Sequence, residues 1–409
     1  MSITKQPLMS VDQALAKILD TVVSVATVET VPLLQSLGRV IAIDKVAAIN
    51  VPPCDNSAMD GYAIRLDDLE PLNEVLIAQR IPAGQMGKPL KVGTAARIFT
   101  GAAIPPGADS VVMQEDTETR GEVVRVDRSE VKLGQHIRPM GQDIAKGSVV
   151  VGCGKRIQPQ EIGLLASIGV TEVEVFTRLK VAVLSTGDEL VEPGQSLASG
   201  QIYNSNRYTL TAFLIALGCE VIDGGIVEDD FQTTCDQLQS LSAQADVIIS
   251  SGGVSVGEED HVKAAVESLG QLGLWKLNIK PGKPLAFGAV GSTPFFGLPG
   301  NPSSVFVTFC LLARPYLLRK QGQSDVAPVM TTATAQFDWH QRGSRQEYLR
   351  AFVSVDEGVA SVRLYDNQSS GVLASTSWAN ALMVLPPNTT ITRGARVDVL
   401  LLSGLVGGL

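Results

Sequence analysis

The residues able to do chemistry in this 409-residue chain concentrate between Asp246 and Lys283. An apolar β-branched run, Val247 to Ile249, enters a loop of small residues, Ser250 to Gly257, which delivers Glu258, Glu259 and Asp260 to the start of a helix. Glycine lets a ligand approach the backbone, the unpaired N–H groups of a helix start attract an anion, and carboxylates beside them suit a divalent cation. Lys276, Lys280 and Lys283 follow in a chain whose formal net charge is −9. The turn Pro281-Gly282-Lys283-Pro284 presents its lysines rigidly. These residue types point to a phosphate or another oxyanion.

Two further loops carry the same small polar residues, Ser185-Thr186-Gly187-Asp188-Glu189 and Gly297-Leu298-Pro299-Gly300-Asn301-Pro302-Ser303. In the second, Asn301 suits an N-cap and Pro302 the first helical position, so the N–H groups of Ser303 and Ser304 are expected to point at an anion. If the preceding strands are parallel, all three loops open on one sheet edge and surround one ligand. Asp188, Glu189, Asp229, Glu259 and Asp260 are candidate Mg²⁺ ligands, since Mg²⁺ takes a few carboxylates plus substrate phosphate oxygens. Solvated acids favoured by a helix dipole remain an equal reading of each. A second polar constellation joins Asp55 to Tyr62, Thr100-Gly101-Ala102, and Arg138 to Asp143. On composition alone these are turns rich in Asp, Asn and Gly.

Other chemistries lose support. Gly253-Val254-Ser255-Val256-Gly257 fits the hydrolase elbow pattern, but Ser250, Ser251 and Gly252 separate it from the strand, and His136, His261 and His340 are badly placed as a base. No phosphate-binding P-loop and no dinucleotide fingerprint occurs. A sequence pI near 5.0 without a basic stripe argues against nucleic acid. The N-terminus lacks a secretory signal, and the most apolar window, Val305 to Leu318, is interrupted by Arg314 and Pro315 and too short to span a membrane. The five cysteines are scattered without C-x-x-C spacing, which fits free thiols in a reducing cytoplasm.

The elements that must position these residues follow from periodicity. Ser10 and Gln13 form a capping box ahead of an amphipathic helix through Val22. Short β-prone runs (Val75 to Ala78, Ala96 to Phe99, Ser110 to Gln114, Glu122 to Val126) make a small β domain inserted into a linker whose second leg is the helix Gln160 to Ile168 and the strand Thr171 to Phe176. From Leu179, strands Val181–Leu184, Glu220–Ile222, Val247–Ile249, Leu285–Phe287 and Pro294–Leu298 alternate with helices Asn206–Leu217, Thr233–Ser242, Asp260–Leu269 and Pro302–Arg319. That alternation predicts a doubly wound, mostly parallel α/β sheet with its ligand at the carboxyl strand ends. After about Ser324 helices vanish, and period-2 runs predict a β-barrel or sandwich. The expected domains are residues 1–46 with 147–178 (split linker), 47–146 (inserted β domain), 179–325 (α/β) and 326–409 (β).

Taken together, Asn56-Ser57-Ala58-Met59-Asp60-Gly61-Tyr62-Ala63, Thr100-Gly101-Ala102, Ser185 to Leu190, Ser250 to Gly257, Lys280-Pro281-Gly282-Lys283-Pro284 and Gly297 to Pro302 resemble the molybdopterin molybdenumtransferase family, which includes the gephyrin E-domain. The likeness runs through nearly the whole chain in order. It implies a multidomain fold with a C-terminal β-barrel, insertion of molybdate into adenylylated molybdopterin with release of AMP, a need for a divalent cation such as Mg²⁺, and a homodimer whose cleft lies between the α/β domain of one subunit and the inserted domain of the other. The molybdopterin adenylyltransferase and acceptor molybdoenzymes are implied protein partners. Carried over by residue, Asp260, Glu189 and Asp229 line the cleft, with Asp260 at the cation. Lys276 and Lys280 face phosphate or molybdate; Ser251, Gly252, Gly253, Ser255 and Lys283, with Pro299, Asn301, Pro302 and Ser303, surround the pterin phosphate. Asp60, Thr100, Arg138 and Asp143 form the partner-subunit side, and Arg350 and Ser370 contact an oxyanion, a role that Ser369 could also take. The related adenylyltransferases, which use ATP in an earlier step, and a gephyrin-like scaffold are the rival readings. The inserted domain with its Asn56 to Tyr62 motif counts against the first, and the want of a second enzymatic domain or long linker counts against the second.

Overall fold

The computed structural model describes residues 8–24, 27–253 and 261–406, without the side chain of Leu274. Ser255, Glu258, Glu259 and Asp260 lie outside the described residues. The α/β domain is built on β1 (Lys180–Thr186), α1 (Ser205–Ala216), β2 (Glu220–Val227), α2 (Phe231–Ser242), β3 (Val247–Ser251), α3 (His261–Leu269), β4 (Gly270–Lys276), β5 (Pro284–Val290), β6 (Thr293–Leu298), α4 (Pro302–Thr308) and α5 (Arg314–Lys320). Its sheet has the order β2-β1-β3-β6-β5-β4. The first four strands are parallel, while β5 runs antiparallel to both β6 and β4. Val181 and Val183 face one core layer, against α1, α4 and α5; Ala182 and Leu184 face the other, against α2 and α3. The strands therefore read as continuous apolar runs because both faces are covered.

Strand β4 has no counterpart among the elements expected from sequence. Gly270 does end α3, but the chain turns directly into the meander β4-β5-β6. Two glycines permit that close pairing: a Cβ on Gly270 would lie 2.1 Å from Ala289 O, and one on Gly288 2.0 Å from Gln271 O. The single helix expected over Pro302–Arg319 is interrupted by a π-turn, Phe309–Ala313. Pro315 lacks the N–H that Leu311 O would accept in a regular helix, and the wider turn accommodates the loss.

The N-terminal helix, Val11–Asp20, carries the capping box at Ser10 and Gln13. It buries Val11, Ala14 and Ile18 in the α/β core, so the expected linker segment 1–46 divides at this helix. Linker pairing begins at Val28–Pro32, antiparallel to Glu172–Phe176, and continues with Lys45–Val46 against Val149–Val151. Val31, Ile41, Ile157, Leu165 and Val173 share one core, so the two sequence-distant legs form a single body. The inserted domain is a six-stranded half-barrel sheet that adds Gly61–Ile64 and Thr117–Arg120 to the anticipated strands.

The last domain is a barrel of Met330–Ala335, Gln346–Asp356, Val359–Leu364, Ala381–Leu385 and Arg396–Leu401, closed by pairing of the second strand with the fourth. One short helix, Ala374–Trp378, interrupts a region expected to be free of helices. The barrel is stitched to the α/β domain by Ile279–Lys280, which pairs in parallel with Gln346–Glu347. That pairing places the lysine-bearing turn beside the barrel.

Candidate anion-binding cleft

A cleft of about 630 Å³ lies where the carboxyl ends of β3 and β6 meet the barrel. Its floor is Gly252 and Gly253, both at positive φ (89° and 65°). A side chain on Gly253 would strike Val262 Cγ2 at 2.5 Å, so only glycine keeps this floor low. Gly252 N–H donates to Leu298 O at 3.1 Å, which ties the loop after β3 to the end of β6. Ser251 is buried beneath, its Oγ 3.2 Å from Ser185 Oγ at the end of β1.

One wall is the turn Lys280 to Pro284, with Lys280-Pro281 cis and Gly282 at φ 99°. The turn is closed by Leu277 N–H donating to Lys283 O at 2.7 Å. Lys280 Nζ lies 3.1 Å from Glu347 Oε2, a barrel carboxylate only 3% exposed, although the alignment falls short of a hydrogen bond. The opposite wall is Pro299, Gly300, Asn301 and Ser304. The barrel contributes Arg345, Gln368, Ser369 and Ser370. Arg345 Nη1 donates to Ile279 O at 2.9 Å, and the residue lines the cleft.

Of the residues singled out in the sequence, Gly252, Gly253, Lys280, Lys283, Pro299, Asn301 and Ser370 line this cleft together. Other expected residues stand elsewhere. Lys276 is exposed at the end of β4 and outside the lining, its carbonyl accepting Met9 N–H at 2.9 Å. The N–H groups of Ser303 and Ser304 do not await an anion: Ser303 donates to Ser370 O at 2.9 Å and Ser304 to Asn301 O at 3.0 Å. Ser303 Oγ also donates to Val372 O at 3.0 Å, so the helix start after Pro302 anchors the barrel loop.

Arg350 is completely buried, and burial lowers its pKa to about 10. Its Nε donates to Ser375 Oγ at 3.0 Å and its Nη2 to Ser369 O at 3.1 Å. It shapes the Gln368–Ser370 loop from behind. Arg345, which the sequence reading passed over, is the arginine that reaches the cleft. The parallel strand pairing that brings it there joins residues far apart in sequence, and no local signal marks it.

Glu189 is exposed and folds back over Gly187, where a Cβ would meet its Oε2 at 2.5 Å. Asp229 is exposed and immediately precedes Asp230, the N-cap of α2. Among the described residues no three acid, histidine or cysteine side chains come close enough to hold a metal ion.

The second constellation does assemble, at one end of the inserted domain. Asp60 Oδ1 accepts from Thr100 N at 2.8 Å and from Thr100 Oγ1 at 2.9 Å. These two bonds, with Arg97 nearby, hold the Asp60 pKa below the ordinary carboxylate value. Arg138 pairs with Asn56 in a short antiparallel ladder, and Asp55 Oδ1 accepts Met140 N–H at 2.7 Å, which fixes the loop leading to Asp143. Asp60, Thr100, Arg138 and Asp143 are all exposed, and none lines the cleft of the same chain.

A cleft at the carboxyl strand ends with a glycine floor, a cationic turn and a barrel wall suits an anionic ligand. Family models narrow it: the MoeA N-terminal region (domain I and II) matches residues 9–169, a probable molybdopterin binding domain matches 182–319, and the MoeA C-terminal region (domain IV) matches 332–402. The molybdopterin molybdenumtransferase of Haemophilus influenzae is 42% identical over 384 residues, 92% of this chain and 94% of that protein. The Nostoc protein of the same name is 36% identical over 91% of this chain and 88% of its own length. The solved molybdopterin biosynthesis MoeA protein of Pyrococcus horikoshii superposes with a TM-score of 0.83 at 30% identity, covering 97% of this chain and 100% of that one. The chain belongs to the molybdopterin molybdenumtransferase family.

Proposed function

We propose that this protein inserts molybdate into adenylylated molybdopterin, releasing AMP and yielding molybdenum cofactor. The observation that carries the reading is the convergence of Lys280, Lys283 and Arg345 over the glycine floor at Gly252 and Gly253. Three cations from two domains suit a phosphate and a tetrahedral oxyanion held side by side, and Arg345 offers the planar fork that matches such oxygens. Binding both anions in one cleft brings the dithiolene against molybdate, and hydrolysis of the phosphoanhydride to AMP drives the exchange forward. No covalent enzyme intermediate is required.

A divalent cation, Mg²⁺, is proposed to accompany the phosphoanhydride, with Asp260, Glu189 and Asp229 as its carboxylates. Glu189 and Asp229 alone make no ligand cluster, so this cation site rests on Asp260. The constellation of Asp60, Thr100, Arg138 and Asp143 is proposed to complete the cleft of a second copy in a homodimer, because it stands clear of its own. A cytoplasmic setting is proposed from the free cysteines; among the described residues no helix is long and apolar enough to cross a membrane.

The deciding experiment supplies adenylylated molybdopterin, molybdate and Mg²⁺ and measures cofactor and AMP together. Formation of both supports the reading; AMP release without molybdenum insertion, or no AMP release at all, overturns it. Mixing inactive Lys283→Ala and Arg138→Ala proteins tests the shared cleft. Recovery of activity on subunit exchange is expected, and its absence counts against a site built from two subunits.

A further inference from the structure

Where the linker, the α/β domain and the barrel meet, a second cavity of about 810 Å³ opens that the proposed reaction does not use. Lys155 and Arg156 from the linker and Arg314 from the start of α5 make its cationic wall. Arg314 is 8% exposed; Nη1 donates to Val326 O at 3.2 Å, and Nε has no partner. Arg156 donates only to Ala216 O, at 3.3 Å, which a helix C-terminus explains. Among the described residues neither guanidinium forms an ion pair. Of the carboxylates lining the cavity, Glu161 lies 3.8 Å from Lys155 Nζ, and Asp325 Oδ1 accepts Ala327 N–H at 3.2 Å, stands beyond ion-pair distance of Arg314 and is the least of the influences on it. Burial pulls both guanidinium pKa values down; at Arg314, Cys310 and Asp325 oppose this while Arg156 adds repulsion.

A buried, unpaired guanidinium beside a second one is costly unless an anion joins them. We propose that this cavity binds a tetrahedral oxyanion, held by Arg314 and Arg156, and that the bound ion ties the linker to the α/β domain. The planar, multi-donor heads of two arginines match the oxygens of such an ion.

The test is calorimetric titration of inorganic phosphate into the full chain carrying Lys283→Ala and Arg345→Ala, which weaken the catalytic cleft as an anion site. One phosphate per chain is expected to remain, and adding Arg156→Met should weaken it by about tenfold or more. Complete loss of binding in the cleft variant, or no change with Arg156→Met, overturns the proposal. Cys153 lines the same cavity and is exposed, which gives a readout that leaves both arginines in place. Phosphate should slow its alkylation in the cleft variant, and a rate that phosphate does not alter means that only water occupies the cavity. Repeating the titration with sulfate and molybdate separates the ions: a site that admits none of the three is not an oxyanion site.

Discussion

Arg345 immediately precedes the barrel strand Gln346–Asp356, and Arg350 lies within it, yet they do different work. Arg345→Ala removes one part-buried hydrogen bond and one cleft cation. It should leave the thermal midpoint nearly unchanged and raise the molybdate KM about tenfold or more, since charge-assisted hydrogen bonds contribute roughly 1.5–3 kcal/mol. Arg350→Met deletes the donors that hold Ser369 O and Ser375 Oγ. It should destabilise the protein by about 2–4 kcal/mol in urea unfolding, because the fully buried Ser375 Oγ loses its donor and the loop at Ser369 its anchor. Equal effects of the two variants on molybdate KM at full stability would overturn the distinction. The Lys280–Glu347 pair carries a related consequence. Lys280→Ala strands a carboxylate that is 3% exposed. A loss of roughly 1–3 kcal/mol is expected, less than for a wholly buried pair because the lysine is half-exposed. Lys280→Ala combined with Glu347→Gln should recover part of it; a double variant no more stable than the single one would show that the pair contributes nothing.

At the scale of elements, the cleft depends on a turn that cannot accept a side chain. Gly282 sits at φ 99°, and a Cβ there would lie 2.6 Å from Thr308 Cγ2 on α4. Gly282→Ala should cost roughly 1–3 kcal/mol and lower activity by displacing Lys280 and Lys283 together. Thermal unfolding and molybdate titration read the two effects separately; a variant with unaltered stability would show that the turn relaxes freely. The punctuation of this turn was legible in the sequence because proline and glycine restrict the backbone locally. The barrel strands were legible for a similar reason, since period-2 alternation survives wherever one face is buried. What escaped was non-local. The pairing of Ile279–Lys280 with Gln346–Glu347 brings Arg345 to the cleft, and the bond from Ser303 N–H to Ser370 O removes a donor that the helix start seemed to offer. Strand β4 escaped as well, because its place is set by contact with β5 rather than by a turn signal.

At the scale of the whole molecule, the insertion could be anticipated from the return of linker-like elements after residue 147, but the attachment of the first helix could not. Val11, Ala14 and Ile18 form an apolar stripe, and a stripe does not say which core it joins. Its burial against the π-turn and α5 makes the α/β core larger than its own segment of sequence and places Cys310 in its centre, with Cys219 at its margin. Burial raises both thiols from an ordinary value of 9.0 to about 12, against which the donation from Gln321 Nε2 to Cys219 Sγ is a smaller opposing effect. The unfolded chain then gives up protons that the folded chain keeps, so it binds fewer protons and stability falls as pH rises. The contribution of these thiols is fully present below about pH 9 and is lost progressively between about pH 9 and pH 12, by up to roughly 1.4 kcal/mol per pH unit for each thiol. Urea midpoints measured from pH 8 to 10.5 should therefore decline in the wild-type protein, and the decline should be shallower after Cys219→Ala with Cys310→Ala. An identical slope in the double variant would assign the alkaline loss to other groups, among which Tyr316, also raised to about 12 by burial, is the first to test.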